Sequence, residues 1–391
     1  MSDRLRVLSI AHAGVSHAAG RLRYLPFAHD RDVDLRLVVP ARWHQFGRTL
    51  VADPPDGSGL DLRIEPILLP KAGPMSWYLH FYPRLRRLIR EFDPDVIHLW
   101  EEPWSIVALQ ACLLKGRAAL MLEVDQNILK TLPPPFETIR RFVLGRTAHI
   151  LSRSPDATAV VRARGYAGPV SAIGYGVDEV RFHPPTHPAP PRTDGGLTVG
   201  YVGRLVVEKG LDDALDALAR TTAPVSLAIM GEGPHEAQLR ARIAALGLGD
   251  RVTILGWGPP DEVAPFMWGL DALILVTRTT KAVREQFGRV IIEAQSCGVP
   301  VIGSTCGAIP SVVGPGGWIV PESDPEALAR LFDHIATAPD ERRARAAAGR
   351  AHVAQNFTTR AVADSLLRAW ASGATSGSRQ PALVPEPAGS R

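Results

Sequence analysis

Two series of strand-length apolar runs, spaced by helical stretches, constrain this chain more than any other feature. The first series is RVLSIAH (6–12), VDLRLVV (33–39), LRIEPILL (62–69), DVIHLW (95–100), AALMLEV (118–124) and AHILSRS (148–154). The second is TVGYVG (198–203), VSLAIMG (225–231), VTILGW (252–257), ALILV (272–276), VPVIGS (299–304) and GWIVP (317–321). Between several runs the apolar period is 3.6, as where Leu85, Leu88, Ile89 and Phe92 form one stripe behind Pro83. Strands alternating with helices imply parallel sheets covered by helices on both faces. The series are parted by RFHPPTHPAPPRTDGG (181–196), rich in proline and without periodicity. The expected layout is a first doubly wound domain over 1–182, a linker over 183–196 and a second over 197–357. A helix over 358–371 is expected to return to the first domain. The Pro/Gly/Ser-rich tail 372–391 is expected to be disordered. In such sheets ligands bind beyond the carboxyl ends of the strands, so a site served by both domains would lie in a cleft that they face.

Composition narrows the function classes. Of 391 residues, 46% are hydrophobic and 21% charged, ordinary for a soluble globular chain. A net charge of +4 is too weak to argue for nucleic acid, though it suits acidic ligands or an anionic membrane surface. Cys112, Cys297 and Cys306 are too few and too scattered for a disulfide framework or a zinc site. The N-terminus reads as a strand without the apolar core of a signal peptide, and no apolar stretch is long enough to span a bilayer. The expected location is the cytoplasm.

Three stretches of the second series fall at strand ends. In GRLVVEKG (203–210), Arg204 and Lys209 follow Gly203 and precede a helix near Leu211. Two cations beside a helix start suit a phosphate, although a solvated basic turn reads equally well. In GEGPH (231–235), Gly231 lets backbone approach a ligand closely; strand-to-helix turns often carry glycine without one. In REQFGRVIIEAQSCGVPVIGS (284–304), Glu285 precedes a helix expected near Gly288, and Glu293 lies more than a turn inside it. Free amides at the helix start suit a diphosphate, and a carboxylate, a pure acceptor, suits the vicinal hydroxyls of a sugar. That division of labour fits a nucleotide-diphosphate sugar.

GRLVVEKG, GEGP, EQFGRVIIEA, CGVPVIGS and the GAIPSVVG…GWIVP…DPEALA segment, in this order, resemble the family 4 glycosyltransferases, retaining enzymes of the two-Rossmann GT-B fold. The resemblance is strong over 198–335 and looser in the N-terminal half. It implies that Glu293 holds the ribose diol, that Glu285 with the amides of Phe287 and Gly288 holds the donor sugar, and that Arg204 and Lys209 bind the diphosphate. It sets the base near Leu255, Gly256 and Trp257, where Trp257 is a stacking partner or a packed aromatic. The chain departs from the family in two places. Ile309-Pro310-Ser311 lacks the usual carboxylate, and TRTTKAV (277–283) replaces a common Pro-Ser strand end.

The first half is expected to carry the acceptor. Its loop HAGVSHAAGR (12–21) brings Gly14 and Gly20 to the end of the first strand, where Gly14 is a candidate diphosphate contact. His12 and His17 lie in the same loop; a structural role is favoured for each, with His12 kept as an acceptor-side candidate. WEEPW (100–104) and EVDQN (123–127) contribute Glu102 and Asn127 on the acceptor side, and Asp125 as a catalytic candidate beside Glu285, Arg204 and Lys209. Helix caps or solvated turns explain these equally well. The basic face of PRLRRLIREF (83–92) fits a solvated helix, with peripheral membrane contact as the alternative. Asp93-Pro94-Asp95 precedes a strand rather than ending one and reads as a turn, not a metal motif.

The resulting expectation is a metal-independent retaining transferase without a cofactor. It moves a hexose from a nucleotide-diphosphate sugar to a small-molecule, glycan or lipid-linked acceptor. The rivals are an inverting GT-B enzyme with His12 or His17 as base, and an inactive GT-B subunit that only supports a partner.

Overall fold

The computed structural model describes residues 4–30, 32–45, 48–69, 76–186 and 196–376. The chain forms two compact units, one of residues 1–176 and 359–391, the other of residues 177–358.

In the first unit, seven strands form one sheet: β1 (Leu5–Ala11), β2 (Val33–Pro40), β5 (Asp61–Glu65), β6 (Val96–Trp100), β7 (Ala119–Val124), β8 (Thr147–Ser152) and β9 (Val170–Ala172). Their order is β5-β2-β1-β6-β7-β8-β9, and every pairing is parallel. The order reverses at β1, so the switch point lies between the carboxyl ends of β1 and β6. Strands β6, β7 and β8 are buried along their whole length, as expected where helices cover both faces. Helix Leu85–Phe92 buries Leu85, Leu88, Ile89 and Phe92 in the core beneath it. Helix Thr359–Ser376 adds Leu366, Ala369 and Trp370 to a second cluster, with the Trp370 ring 4.9 Å from that of Phe27.

An antiparallel hairpin of β3 (Arg42–Gln45) and β4 (Arg48–Val51) follows β2. Neither it nor β9 has the apolar run that marks the other strands. Every residue of β4 is exposed, and β9 is three residues long.

In the second unit, six strands, β10 (Leu197–Val202), β11 (Val225–Met230), β12 (Val252–Ile254), β13 (Ala272–Leu275), β14 (Val301–Ser304) and β15 (Gly317–Val320), pair in the order β12-β11-β10-β13-β14-β15. All are parallel, and the switch point lies between the carboxyl ends of β10 and β13. Residues 177–182, expected with the first domain, belong to this unit. The Val177 amide donates to the Phe357 carbonyl at 2.8 Å, and Ser296 Oγ donates to the Phe182 carbonyl at 2.6 Å. Of the expected linker, 187–195 lies outside the described residues. The tail does too from 377 onward, while 372–376, expected to be disordered, complete the last helix.

Candidate active site

The carboxyl ends of β10 and β13 gather the charged groups of the second unit. Strand β10 ends one residue before Gly203, and the exposed Arg204 follows. The hydroxyl of buried Tyr201 donates to the Arg204 carbonyl at 2.8 Å. Burial raises the Tyr201 pKa; the Glu285 charge raises it further and the Arg204 charge opposes it, so both groups act on this ring. Lys209 closes the short helical turn Val207–Lys209. Its Nζ lies 2.6 Å from Glu285 Oε2, and the Thr277 hydroxyl donates to the same oxygen at 3.0 Å. The cation and the carboxylate assigned to different parts of a donor are therefore one ion pair here.

Three neighbours fix the backbone of Glu285. Its amide approaches Cys306 Sγ at 3.4 Å, and its carbonyl accepts from the Ala308 amide at 3.0 Å. Gly307 lies between them at φ +55°, where a Cβ would stand 2.2 Å from that carbonyl oxygen. Three residues after Glu285, Gly288 at φ +79° caps helix Arg289–Ser296, and no side chain caps the helix start. Phe287 is buried, its ring edge-on to Phe357 at 5.4 Å, so its side chain is core and only its backbone can serve a ligand. Glu293 is half-buried inside the helix. Burial raises its pKa against the opposing charges of Arg289 and Arg181.

Other expected donor contacts are placed as follows. Strand β12 stops at Ile254, earlier than expected, and leaves Leu255 and Trp257 exposed at 56% and 61% in the loop. The Trp257 ring is therefore open to a stacking partner rather than packed. The Trp257 amide donates to Glu232 Oε1 at 3.3 Å. Gly231 has a packing reason to lack a side chain: a Cβ would lie 1.9 Å from the Gly203 carbonyl oxygen. Ser311, where the family's carboxylate is missing, donates to the Ala308 carbonyl at 2.8 Å.

In the first unit, the loop 12–21 after β1, with the candidate Gly14, is helical rather than extended. It winds through helical turns His12–Val15, His17–Arg21 and Leu22–Phe27 around the buried Arg21. Arg21 donates to the carbonyls of Gly14, Val15, Asp53 and Pro54. Gly14 is packed so closely that a Cβ would lie 2.6 Å from Val39, and one on Gly20 would lie 2.3 Å from the Ala13 carbonyl oxygen. His17 pairs with Asp56 at 2.7 Å.

His12 has a more specific setting. Its Nδ1 lies 2.7 Å from Glu101 Oε1, and its ring stacks on Trp43 of the hairpin at 4.8 Å. His80 Nε2 reaches the same Glu101 oxygen at 3.3 Å. Burial raises the Glu101 pKa, but the charges of His12 and His80 outweigh it and hold it at about 2. Burial lowers the His12 pKa, yet Glu101 and Asp125 carry it above its ordinary value. Glu101, His80 and Trp43 escaped the sequence reading because their pairing depends on strand order. The doubled carboxylate in WEEPW was the one signal.

Asp125 and Glu102 both make structural contacts. Asp125 Oδ1 accepts from Arg153 Nε at 2.7 Å and Oδ2 from Trp100 Nε1 at 2.9 Å, a load that a catalytic Asp125 would have to shed. Arg153 also pairs with buried Glu123, which Arg23 holds through two bonds of 2.7 and 2.9 Å. Glu102 Oε1 accepts the amides of Asp125 and Gln126 at 2.8 and 2.7 Å. Its pKa is pushed up to about 8, by burial first and by the Asp125 charge second. Asn127 is buried. Asp93 caps its helix at φ +43° and pairs with Arg117, and Asp95 accepts the Arg6 amide, which makes 93–95 a turn. Among the described residues, no three His, Cys, Asp or Glu side chains come together as a metal site would need.

Two doubly wound parallel sheets, each with polar groups at its switch point, define the class as GT-B. The comparisons identify the family. Residues 27–181 match the model described as Glycosyltransferase Family 4, and residues 185–352 match that of Glycosyl transferases group 1. The chain belongs to the family 4 glycosyltransferases of glycosyl transferases group 1. A 2-deoxystreptamine glucosyltransferase of Streptomyces kanamyceticus is 29% identical over 59% of this chain and 56% of its own length. The chain thus spans about half of that relative. A GDP-mannose-dependent alpha-(1-6)-phosphatidylinositol monomannoside mannosyltransferase of Mycolicibacterium smegmatis is 29% identical over 71% of this chain and 76% of its own. Among solved structures, Anabaena HepE in complex with UDP superposes with a TM-score of 0.69 at 19% identity, over 94% of this chain and all of that one.

Proposed function

We propose that the chain is a retaining hexosyltransferase whose second unit binds a nucleotide-diphosphate sugar and whose first unit binds the acceptor. The observation that carries this reading is the cluster of Lys209, Thr277 and Glu285 beside the uncapped helix start at Gly288, at the β10/β13 switch point. The diphosphate lies against that helix start, Arg204 and Lys209. The sugar lies against Glu285, the ribose against Glu293 and the base near Leu255 and Trp257. The bond from C1 of the sugar to the diphosphate oxygen breaks, and a bond from C1 to the acceptor oxygen forms on the same face. The acceptor proton passes to the departing phosphate oxygen. Arg204, Lys209 and the helix amides stabilise the charge that develops there, so the step needs no metal. The relatives support a nucleotide-sugar donor, since HepE binds UDP and the mannosyltransferase depends on GDP-mannose. Acceptors in that group include a lipid. Among the described residues no helix is long and apolar enough to cross a membrane.

The inverting reading has its own observation, the His12–Glu101 pair. Against the effect of burial, Glu101 and Asp125 raise the pKa of His12, which strengthens it as a base, so the stereochemistry of the product decides between the two readings. Thermal shift with a panel of nucleotide sugars identifies the donor, since a ligand that binds only the folded state raises its melting temperature. NMR of the glycosylated product then reads its anomeric configuration. Retention supports the proposal; inversion moves the chemistry to His12.

A further inference from the structure

Thr277 is the member of the Lys209–Thr277–Glu285 cluster with no part of the donor assigned to it, and its setting is tightly fixed. It lies two residues beyond β13, fully buried, and its carbonyl accepts from Ser304 Oγ at the end of β14 at 2.6 Å. Its hydroxyl donates at 3.0 Å to Glu285 Oε2, the oxygen that Lys209 Nζ meets at 2.6 Å. The two donors differ in one respect. Lys209 ends a flexible stem, its side chain 24% exposed, and its ammonium is drawn to any diphosphate entering the site. Thr277 is β-branched, stiff at χ1 and fixed by the strand end.

We infer that Thr277 is the positioning residue of Glu285, holding its carboxylate toward the sugar when Lys209 turns to the diphosphate. This rests on the proposed donor-site reading, in which Glu285 serves the sugar. The buried, stiff Thr277 hydroxyl keeps its bond to Oε2 when the lysine moves. The backbone clamp by Cys306 and Ala308 sets where the residue starts but not the rotamer of its side chain. A conserved shape with a different atom is then the informative change. Thr277→Val keeps the branched volume and loses the donor, whereas Thr277→Ser keeps the donor.

The test uses the full chain with UDP and UDP-glucose, and with GDP and GDP-mannose. Calorimetry gives the affinities, and release of nucleoside diphosphate from the sugar donor gives the rate. Thr277→Val should slow turnover by about 10- to 100-fold, the range set by one hydrogen bond to a charged group, and should lower sugar-nucleotide affinity relative to the free nucleotide. Nucleoside diphosphate affinity should stay within about twofold, and Thr277→Ser should restore both the rate and the affinity ratio. If Thr277→Val matches the parent while Glu285→Gln abolishes turnover, the inference fails and the site reading stands. If Glu285→Gln changes neither rate nor affinity ratio, the site reading fails and takes the inference with it. Equal losses of melting temperature and nucleotide affinity in both Thr277 variants would make the residue structural only and overturn the inference.

Discussion

Lys209 Nζ lies 2.6 Å from Glu285 Oε2, so a cation and a carboxylate separated by 76 residues form one partly buried pair at the strand ends. Under the proposed function the site takes up both a diphosphate and neutral sugar hydroxyls, and such a pair then has a purpose. Each member holds the other in place, and under the proposed function the incoming phosphates compete for the lysine.

Under the proposed function, Arg204 serves the leaving group. It follows Gly203 directly, is exposed, and acts electrostatically on the same Tyr201 ring as Glu285. Arg204→Ala should lower kcat by about 10²–10³-fold, as when one donor to a developing oxyanion is removed. Steady-state kinetics decide it. An unchanged kcat with a modest rise in KM would make Arg204 a surface residue.

Glu102 should give the fold a pH signature. Its folded pKa of about 8 stands above the ordinary 4.5, so the folded state binds this proton more tightly than the unfolded chain does. The cost of ionising it is absent below about pH 4.5, grows as pH rises and is complete above about pH 8. Glu102→Gln keeps a carbonyl oxygen for the Asp125 and Gln126 amides and removes the repulsion by Asp125. Melting temperatures of the two proteins, measured from about pH 5 to about pH 9, should diverge in favour of the variant as pH rises. Parallel curves would refute the assignment.

The twelve apolar runs all overlap strands of the two sheets, most fully at β6, β7 and β8, because a strand buried on both faces must be apolar along its length. The β3–β4 hairpin and β9 carried no such mark. Among the candidate site residues, Glu285, Arg204 and Lys209 stand out in the sequence because they lie at strand ends and helix starts. Their pairing does not, since it requires β10 and β13 to be neighbours although β11 and β12 come between them in sequence. The same reason hid Glu101 between His12 and His80, and Arg153 against Asp125. Gly14 and Gly231 were read as ligand approaches; each also has a packing reason to lack a side chain.

Turnover should survive chelation. Arg204, Lys209 and the helix start at Gly288 supply the positive charge that a divalent ion supplies elsewhere. Donor turnover is measured in EDTA and again after Mg²⁺ or Mn²⁺ is restored. Complete loss with full recovery on adding metal would falsify the expectation.

The central claim is that the two carboxylates around the Gly288 helix start divide the donor between them. Glu293, inside the helix, is assigned to the ribose; Glu285, before it, is assigned to the sugar. A contact made equally in ground and transition states appears in binding, and one that strengthens at the reacting carbon appears in kcat. The most direct measurement is calorimetric titration of UDP and GDP into the parent, Glu293→Gln and Glu285→Gln, with turnover rates beside it. Glu293→Gln should weaken nucleoside diphosphate binding by about tenfold or more, the scale of a lost hydrogen bond to a charged group. Glu285→Gln should leave that affinity nearly intact while turnover collapses. If Glu285→Gln loses nucleotide affinity as severely as Glu293→Gln, the division of roles is wrong.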